Sequence, residues 1–316
     1  MVLLTTCPVS DRHLAAIREI APDLDVRVFQ NIEAAFQDLP DAEILITYGE
    51  DLTPEHIKRC TNLKWIMVIS AGLELMPFPE IDEQNILVTN AKGIHKGPMS
   101  EYTLGMILMF SRRFVTLYQN QTKQLWDRTI RIDELAGQTL GIIGAGAIGS
   151  EIARKAKAFD MHVLGMTASK REVEGVDEMF DADGLDEVLK RSDYVVVIVP
   201  LTEQTKGMIG AREIGLMKES AVLINIARGQ VVDEDALLQA LREQKIRGAG
   251  LDVFVEEPLP QSHPFWGLDN VVVTPHLSSR SPKYMERAQE IFQHNLRVFT
   301  TGAGEMINVI DTKKGY

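Results

Sequence analysis

The chain has 316 residues, 45% of them hydrophobic and 25% charged, which is typical of a globular protein with room for two domains. Its formal net charge is −12 and no run of Lys and Arg is longer than two residues, so we expect neither a nucleic-acid partner nor a membrane surface. The apolar start, residues 1–7, is too short for a signal peptide, and no apolar stretch approaches membrane-spanning length. Cys7 and Cys60 suggest neither a disulfide framework nor a metal site, so we expect no metal and a cytoplasmic location.

Short apolar runs alternate with helical patterns along the first third of the chain. Strands are predicted at 2–6, 26–29, 44–48, 65–69 and 86–89. The helices between them predict a parallel sheet with crossover connections. A single helix is then predicted from Ser100 to about Gln121, and Pro98 ahead of it is typical of a helix start or a hinge.

A second alternating series begins at Thr139. Its strands are predicted at 140–143, 163–166, 194–197, 222–226, 249–251 and 271–273, and a last helix at about 282–299. The series predicts two α/β domains, the second inserted into the first. The expected bounds are 1–98 plus 282–316 for the outer domain and 99–281 for the inserted one.

Residues 140–149 read as a strand, a G-x-G-x-x-G turn and a helix start. Gly144 permits the tight turn, Gly146 lets the backbone approach a pyrophosphate, and Gly149 lets helix and strand pack closely. Ala147 and Ile148 open the helix, whose free N–H groups and dipole favour a diphosphate. The order of elements favours a dinucleotide site over the alternative, a purely structural glycine turn.

The strand after this loop lacks the acidic residue that usually binds the adenosine ribose of NAD. It is followed instead by Thr167, Ser169, Lys170 and Arg171. Hydroxyls and cations suit a 2′-phosphate, which a carboxylate would repel, so the pattern favours NADP while NAD stays open. The alternative is a solvated surface turn.

Three candidate catalytic residues follow predicted strands near the C-terminus: Arg228, Glu257 and His276. Hydride transfer to a carbonyl carbon needs a proton for the carbonyl oxygen, and histidine titrates near the working pH. A carboxylate orients the imidazole, and arginine presents a planar fork to a substrate carboxylate. Taken singly, each residue has an ordinary structural alternative, but together they point to catalysis.

The loop 199–205, which contains Pro200 and Thr205, precedes segments 222–233, 250–258 and 273–279. In order and spacing, with the glycine loop, these resemble the D-isomer-specific 2-hydroxyacid dehydrogenase family across essentially the whole chain. The resemblance implies a Rossmann dinucleotide-binding domain inserted into a flavodoxin-like substrate domain, both α/β with parallel sheets, in a homodimer. D-stereospecificity is implied by the resemblance alone.

The resemblance also implies residue roles. His276 matches the acid/base, Glu257 its partner carboxylate and Arg228 the substrate clamp. Asp252 matches the residue that meets the nicotinamide carboxamide. The remaining matches line the cofactor cleft, at Pro200, Thr205 and Ile226, or receive the substrate carboxylate on backbone N–H groups, at Ala71 and Gly72.

Alternatives concern the substrate and the class of protein. A phosphoglycerate dehydrogenase-like enzyme would place cations in the loop 47–51, which instead holds Glu50 and Asp51, so a small unphosphorylated acid such as glyoxylate or hydroxypyruvate is expected. Formate-dehydrogenase-like relatives have Gln where Glu257 stands. A cofactor-sensing, corepressor-like binding protein stays open, because such proteins can keep the three residues.

Overall fold

The computed structural model describes residues 1–70, 72–73 and 75–313, so Ala71, one of the expected substrate-binding residues, lies outside the described residues. The chain divides into two compact units, one formed by residues 1–94 with the described residues from Ser281 onward, the other by His95–Arg280. The bounds from the sequence, 98/99 and 281/282, lie four residues and one residue further along the chain. No helix among the described residues is both long and apolar enough to cross a membrane.

The first unit contains a five-stranded parallel sheet in the order β2-β1-β3-β4-β5, the flavodoxin-like order. Its strands are β1 (Val2–Thr5), β2 (Asp25–Val28), β3 (Ile44–Thr47), β4 (Trp65–Val68) and β5 (Leu87–Asn90). Its helices are α1 (Asp11–Ile20), α2 (Pro54–Arg59), α3 (Phe78–Glu83) and, from the end of the chain, α10 (Tyr284–Thr301). Every residue of β3 and β4 is buried, as expected for strands covered by helices on both faces.

The second unit contains a seven-stranded parallel sheet in the order β12-β11-β10-β9-β6-β7-β8. Its strands are β6 (Thr139–Ile143), β7 (His162–Met166), β8 (Glu178–Phe180), β9 (Tyr194–Val197), β10 (Val222–Asn225), β11 (Gly248–Leu251) and β12 (Val271–Val273). Its helices are α4 (Lys96–Ser111), α5 (Phe114–Thr122), α6 (Ala147–Lys157), α7 (Leu185–Arg191), α8 (Ala211–Leu216) and α9 (Glu234–Arg242). The order reverses between β6 and β9, and ligands of doubly wound sheets bind beyond the carboxyl ends of strands at such a point.

Two features of this unit differ from the sequence expectation. The single helix expected over 100–121 is wrong: α4 and α5 are separate helices, because Arg113 adopts a left-handed backbone with φ of 55°. α4 buries eight residues and α5 none, so burial follows only the first half of a continuous apolar pattern. The short edge strand β8 was not expected, because its three residues are only half-buried and carry no clear alternation.

Candidate active site

The glycine loop lies at the reversal point of the second sheet. Gly144 has φ of 107°, and a Cβ there would lie 2.6 Å from the Ile198 carbonyl oxygen beyond β9. At Gly149, a Cβ would lie 2.6 Å from the Gly144 carbonyl oxygen, so α6 could not approach the turn. Both glycines are therefore required by the protein's own packing.

Gly146 is different, and it tests whether a dinucleotide fits. It has a negative φ of −81°, and a Cβ on it would meet only the Gly144 carbonyl oxygen, at 4.0 Å. The first bond of α6 runs from Ser150 N–H to the Gly146 carbonyl at 2.8 Å, so the N–H groups of 147–149 have no acceptor within the helix. A bare backbone beside three free helix N–H groups fits a diphosphate.

The end of β7 carries the residues that bear on cofactor choice. The Thr167 hydroxyl donates to the Ser169 carbonyl at 2.8 Å, which folds the chain into a turn. Ser169, Lys170 and Arg171 are exposed along this turn. No carboxylate stands at position 167, where the strand ends, and the two exposed cations precede the first carboxylate of this segment, Glu172.

The loop after β9 is held together by Thr205. Its hydroxyl donates to the Pro200 carbonyl at 2.6 Å and accepts from Thr202 N–H at 2.8 Å. Ile226, beyond β10, is only 2% exposed and packs in a buried apolar cluster. Contact of these residues with a cofactor stays a prediction.

Arg228 follows β10 on a loop that its own backbone groups stabilise. Asn225 accepts from Ala227 N–H through its side-chain oxygen and donates to the Arg228 carbonyl, each at 3.1 Å. The Arg228 guanidinium donates to the Ala227 carbonyl at 2.8 Å. At Gly229, a Cβ would lie 2.0 Å from the Phe254 carbonyl carbon, so this loop packs directly on the loop after β11.

Glu257 lies in that next loop and bonds with both oxygens. Oε1 accepts from Phe254 N–H at 2.9 Å, and Oε2 pairs with His276 Nδ1 at 2.8 Å. The backbone bond fixes the carboxylate, which in turn fixes the ring of the histidine. The other ring nitrogen, Nε2, stays available on a side chain that is 43% exposed.

The loop that carries His276 is organised by Asp252, which is fully buried. Its carboxylate accepts from Leu277 N–H at 2.8 Å and Ser278 N–H at 2.9 Å, and its carbonyl accepts from His276 N–H at 2.8 Å. His276 adopts a left-handed φ of 53°, which costs about 1 kcal/mol outside glycine. Asp252 thus has a positioning task, and its expected contact with nicotinamide stays a prediction.

In the first unit, the expected substrate loop follows β4. Ser70 donates to the Gly72 carbonyl and to the Tyr48 carbonyl, both at 2.9 Å, which ties this loop to the one after β3. In that neighbouring loop the Thr47 hydroxyl donates to Asp51 at 2.8 Å, while Glu50 is exposed. The loop after β3 therefore carries two carboxylates and no cation.

Two further residues bear on the site without having been singled out in the sequence. The Thr274 hydroxyl bonds Asp252 Oδ1 at 2.6 Å, and the Tyr102 hydroxyl on α4 lies 2.7 Å from that of Thr274. Thr274 lies in the segment 273–279 without having been assigned a role, and Tyr102 is 172 positions away from it. No local pattern would have paired them.

Residues 104–278 match the family described as D-isomer specific 2-hydroxyacid dehydrogenase, NAD binding domain. A glyoxylate reductase of Thermofilum pendens is 36% identical over 84% of this chain and 80% of its own length. A D-3-phosphoglycerate dehydrogenase of Methanocaldococcus jannaschii is 33% identical over 95% of this chain, which spans only 57% of that relative.

Solved structures with the same fold have been determined with either cofactor. The NADPH-dependent glyoxylate/hydroxypyruvate reductase of Sinorhizobium meliloti, with NADP and sulfate, is 28% identical over 100% of this chain and 99% of its own, at a TM-score of 0.83. The D-lactate dehydrogenase of Aquifex aeolicus, with NAD and lactic acid, is 31% identical over 98% and 99% at 0.79.

Proposed function

The chain belongs to the D-isomer-specific 2-hydroxyacid dehydrogenase family, and we propose that it reduces a small, unphosphorylated 2-keto acid to the D-2-hydroxy acid with NADPH. Membership confirms the resemblance found in the sequence and, with the two parallel sheets, the fold class. It also makes the chain an NAD(P)-dependent oxidoreductase. The observation that carries the finer proposal is the 2.8 Å pair between His276 and Glu257 beside the Arg228 loop.

In this proposal His276 supplies the proton. Glu257 accepts from Nδ1–H, which leaves Nε2–H of the imidazolium as the donor to the C2 carbonyl oxygen. A nicotinamide cofactor, when bound, would supply the hydride for C2. Afterwards the neutral ring keeps its Nδ1 proton on the Glu257 hydrogen bond and accepts a new proton at Nε2 from solvent, to which it is exposed.

Arg228 holds the substrate in the same proposal. Its planar guanidinium is suited to a carboxylate and to the polarised C2 carbonyl, and its bond to the Ala227 carbonyl limits its rotation. The backbone at Ala71 and Gly72 would receive the substrate carboxylate.

For the cofactor, the diphosphate would lie on Gly144, Gly146 and the first turn of α6, from Ala147 to Gly149. NADP is favoured over NAD because Lys170 and Arg171 are exposed at the end of β7 where a carboxylate would repel a 2′-phosphate. Thr167 and Ser169 add hydroxyl groups there. Pro200, Thr205, Ile226 and Asp252 would border the nicotinamide half.

The acidic loop after β3 favours an unphosphorylated substrate. Burial is the main cause that raises the pKa of Tyr284 to about 12, and Tyr48, Cys7 and, least, the charge of Glu50 add to it. Asp51 likewise adds to the burial that raises the pKa of Cys7 to about 12. A phosphate dianion close to these carboxylates would meet like charge.

A substrate panel tests the proposal directly. Glyoxylate, hydroxypyruvate, 3-phosphohydroxypyruvate and pyruvate are compared with NADPH and with NADH, and kcat/KM is measured. We expect the highest value for an unphosphorylated acid with NADPH. A preference for the phosphorylated compound would make it a phosphoglycerate dehydrogenase-like enzyme, and absence of turnover with every acid would refute the reductase activity.

We further propose a cytoplasmic homodimer. The free thiols of Cys7 and Cys60 are both buried, which suits a reducing compartment. Phe114, Leu125 and Trp126 are exposed at 54%, 54% and 89%, an apolar surface suited to a second copy of the chain. Light scattering on the wild type and on the Trp126→Ser variant measures the assembly. A monomeric wild type would contradict the proposal.

A further inference from the structure

A directed hydrogen-bond chain leads from α4 to the buried Asp252. The Thr274 hydroxyl lies 2.6 Å from Asp252 Oδ1, and the Tyr102 hydroxyl lies 2.7 Å from Thr274 Oγ1. A carboxylate oxygen only accepts, so the single hydroxyl proton of Thr274 goes to Asp252. Tyr102 must then donate to Thr274.

Burial keeps the hydrogen bonds between Tyr102, Thr274 and Asp252 in one direction. Burial raises the pKa of the Tyr102 phenol by more than the Thr274 hydrogen bond lowers it, and the charge of Asp252 adds a smaller rise. The phenol therefore stays protonated and remains a donor throughout the working range of pH. Asp252 is fully buried, so water does not compete for its oxygens.

The hydrogen-bond chain from Tyr102 through Thr274 to Asp252 ends at the loop that carries His276, the proposed proton donor. Asp252 accepts from Leu277 N–H and Ser278 N–H through its carboxylate and from His276 N–H through its carbonyl. A left-handed residue such as His276 keeps its conformation only where its surroundings over-determine it. Asp252 supplies that constraint, and Thr274 and Tyr102 orient Asp252.

The other end of the hydrogen-bond chain, at Tyr102, lies on a helix that contacts α6, the helix after the glycine loop (called the phosphate-loop helix below). α4 carries Tyr102 and, two residues earlier, Ser100, whose hydroxyl accepts from Lys155 Nζ on α6 at 2.8 Å. α6 begins directly after Gly146. One helix therefore contacts both the element that presents the diphosphate-binding N–H groups and the loop that presents the imidazole.

We propose that Tyr102 is a positioning residue, which through Thr274 and Asp252 sets the place of the His276 imidazole relative to the phosphate-loop helix. The proposal rests on the proposed role of His276 as proton donor. Without the phenol's hydrogen bond the Thr274 hydroxyl can rotate, the Asp252 carboxylate loses its fixed orientation, and Nε2 leaves the position required for proton transfer.

The Tyr102→Phe variant tests this, with Tyr118→Phe as the matched control because Tyr118 is 66% exposed on α5. We expect kcat to fall about tenfold in Tyr102→Phe, as a small displacement of a catalytic group does, with the affinity for NADPH within about twofold. The solvent deuterium isotope effect on kcat should rise, because proton transfer becomes more rate-limiting. Without cofactor, hydrogen exchange in the peptide 274–280 should become faster, while Tm stays close to that of the control.

The order of the hydrogen bonds, from Tyr102 to Thr274 to Asp252, gives a second test. Thr274→Val should reduce kcat at least as much as Tyr102→Phe, and Thr274→Ser should restore it, because only the hydroxyl is needed. The double variant Tyr102→Phe with Thr274→Val should be no slower than Thr274→Val alone, since both changes break one chain.

The inference and the proposed function can fail separately. An active wild type with equal kcat and equal exchange in Tyr102→Phe and Tyr118→Phe would overturn the inference alone. Independent, multiplying losses in the double variant would overturn it too. If the wild type reduced no 2-keto acid, the proposed function would fall, and unchanged exchange in the peptide 274–280 of Tyr102→Phe would still count against the positioning role.

Discussion

His276 Nδ1 lies 2.8 Å from Glu257 Oε2, and the other oxygen of the same carboxylate accepts from the Phe254 backbone at 2.9 Å. The ring therefore takes its orientation from a carboxylate that is itself tied to the main chain. Nδ1 is engaged in this pair, while Nε2 belongs to a side chain that is 43% exposed.

Removing the imidazole should stop proton transfer without disturbing the cofactor. For His276→Ala we expect kcat to fall by about 10²–10⁴, the range of a general acid, with the dissociation constant for NADPH near that of the wild type. Fluorescence titration and steady-state kinetics measure the two quantities. His294→Gln, an exposed histidine of α10, is the control. A His276→Ala enzyme with nearly normal kcat would show that another group donates the proton.

Glu257→Gln probes the orienting carboxylate. The amide oxygen can keep the Phe254 hydrogen bond, but an NH₂ group facing Nδ1 cannot accept its proton, so the imidazolium loses its partner. We expect kcat to fall about 10- to 100-fold. Glu256→Gln, the exposed neighbouring carboxylate, should leave kcat unchanged. Equal effects of the two substitutions would contradict the role of Glu257.

The cations after β7 should matter for the 2′-phosphate alone. Changing Lys170 and Arg171 together to Ala should raise KM for NADPH by about 10-fold or more, as expected when charge-assisted bonds to a phosphate are lost, and leave KM for NADH nearly unchanged. Arg18 and Lys58, exposed cations of the first unit, changed together to Ala serve as the control. Similar losses for both cofactors, or a wild type that prefers NADH, would argue for NAD.

Glycine substitutions separate packing from ligand approach. Gly146→Ala should fold with a Tm close to that of the wild type, because its Cβ would be 4.0 Å from the nearest neighbour, yet bind NADPH much more weakly. Gly149→Ala should lower Tm by several degrees, because its Cβ would lie 2.6 Å from the Gly144 carbonyl oxygen. Thermal unfolding without cofactor, compared with cofactor titration, makes the distinction. Normal NADPH affinity in Gly146→Ala would mean that no pyrophosphate approaches there.

Much of the candidate site could be predicted from the sequence because its motifs span only a few residues each. Gly144, Gly146 and Gly149 lie within six residues, and their spacing alone predicts a strand, a turn and a helix start, which the structure contains. Arg228, Glu257 and His276 each follow a short apolar run. Parallel strands bring their carboxyl ends to one edge, so the grouping of these three loops follows from the fold class.

Other parts of the molecule were decided by contacts between distant segments. The apolar pattern across 100–121 is continuous, yet α4 and α5 separate at Arg113 because only α4 is buried against the rest of its unit. Gly229 looks like an ordinary turn residue, but the Phe254 backbone leaves no space for a Cβ there.

By itself the sequence determined the alternating α/β pattern and the glycine turn, and it predicted the residue types proposed for acid/base chemistry, because periodicity and motif spacing act within a few residues. Only the tertiary structure decided which side chains hold the candidate catalytic residues in place. Tyr102 and Thr274 meet across 172 positions, and Asp252, predicted as a cofactor contact, also anchors the His276 loop. Hydrogen bonds between buried side chains depend on how helices and sheet pack, and no short-range pattern encodes that packing.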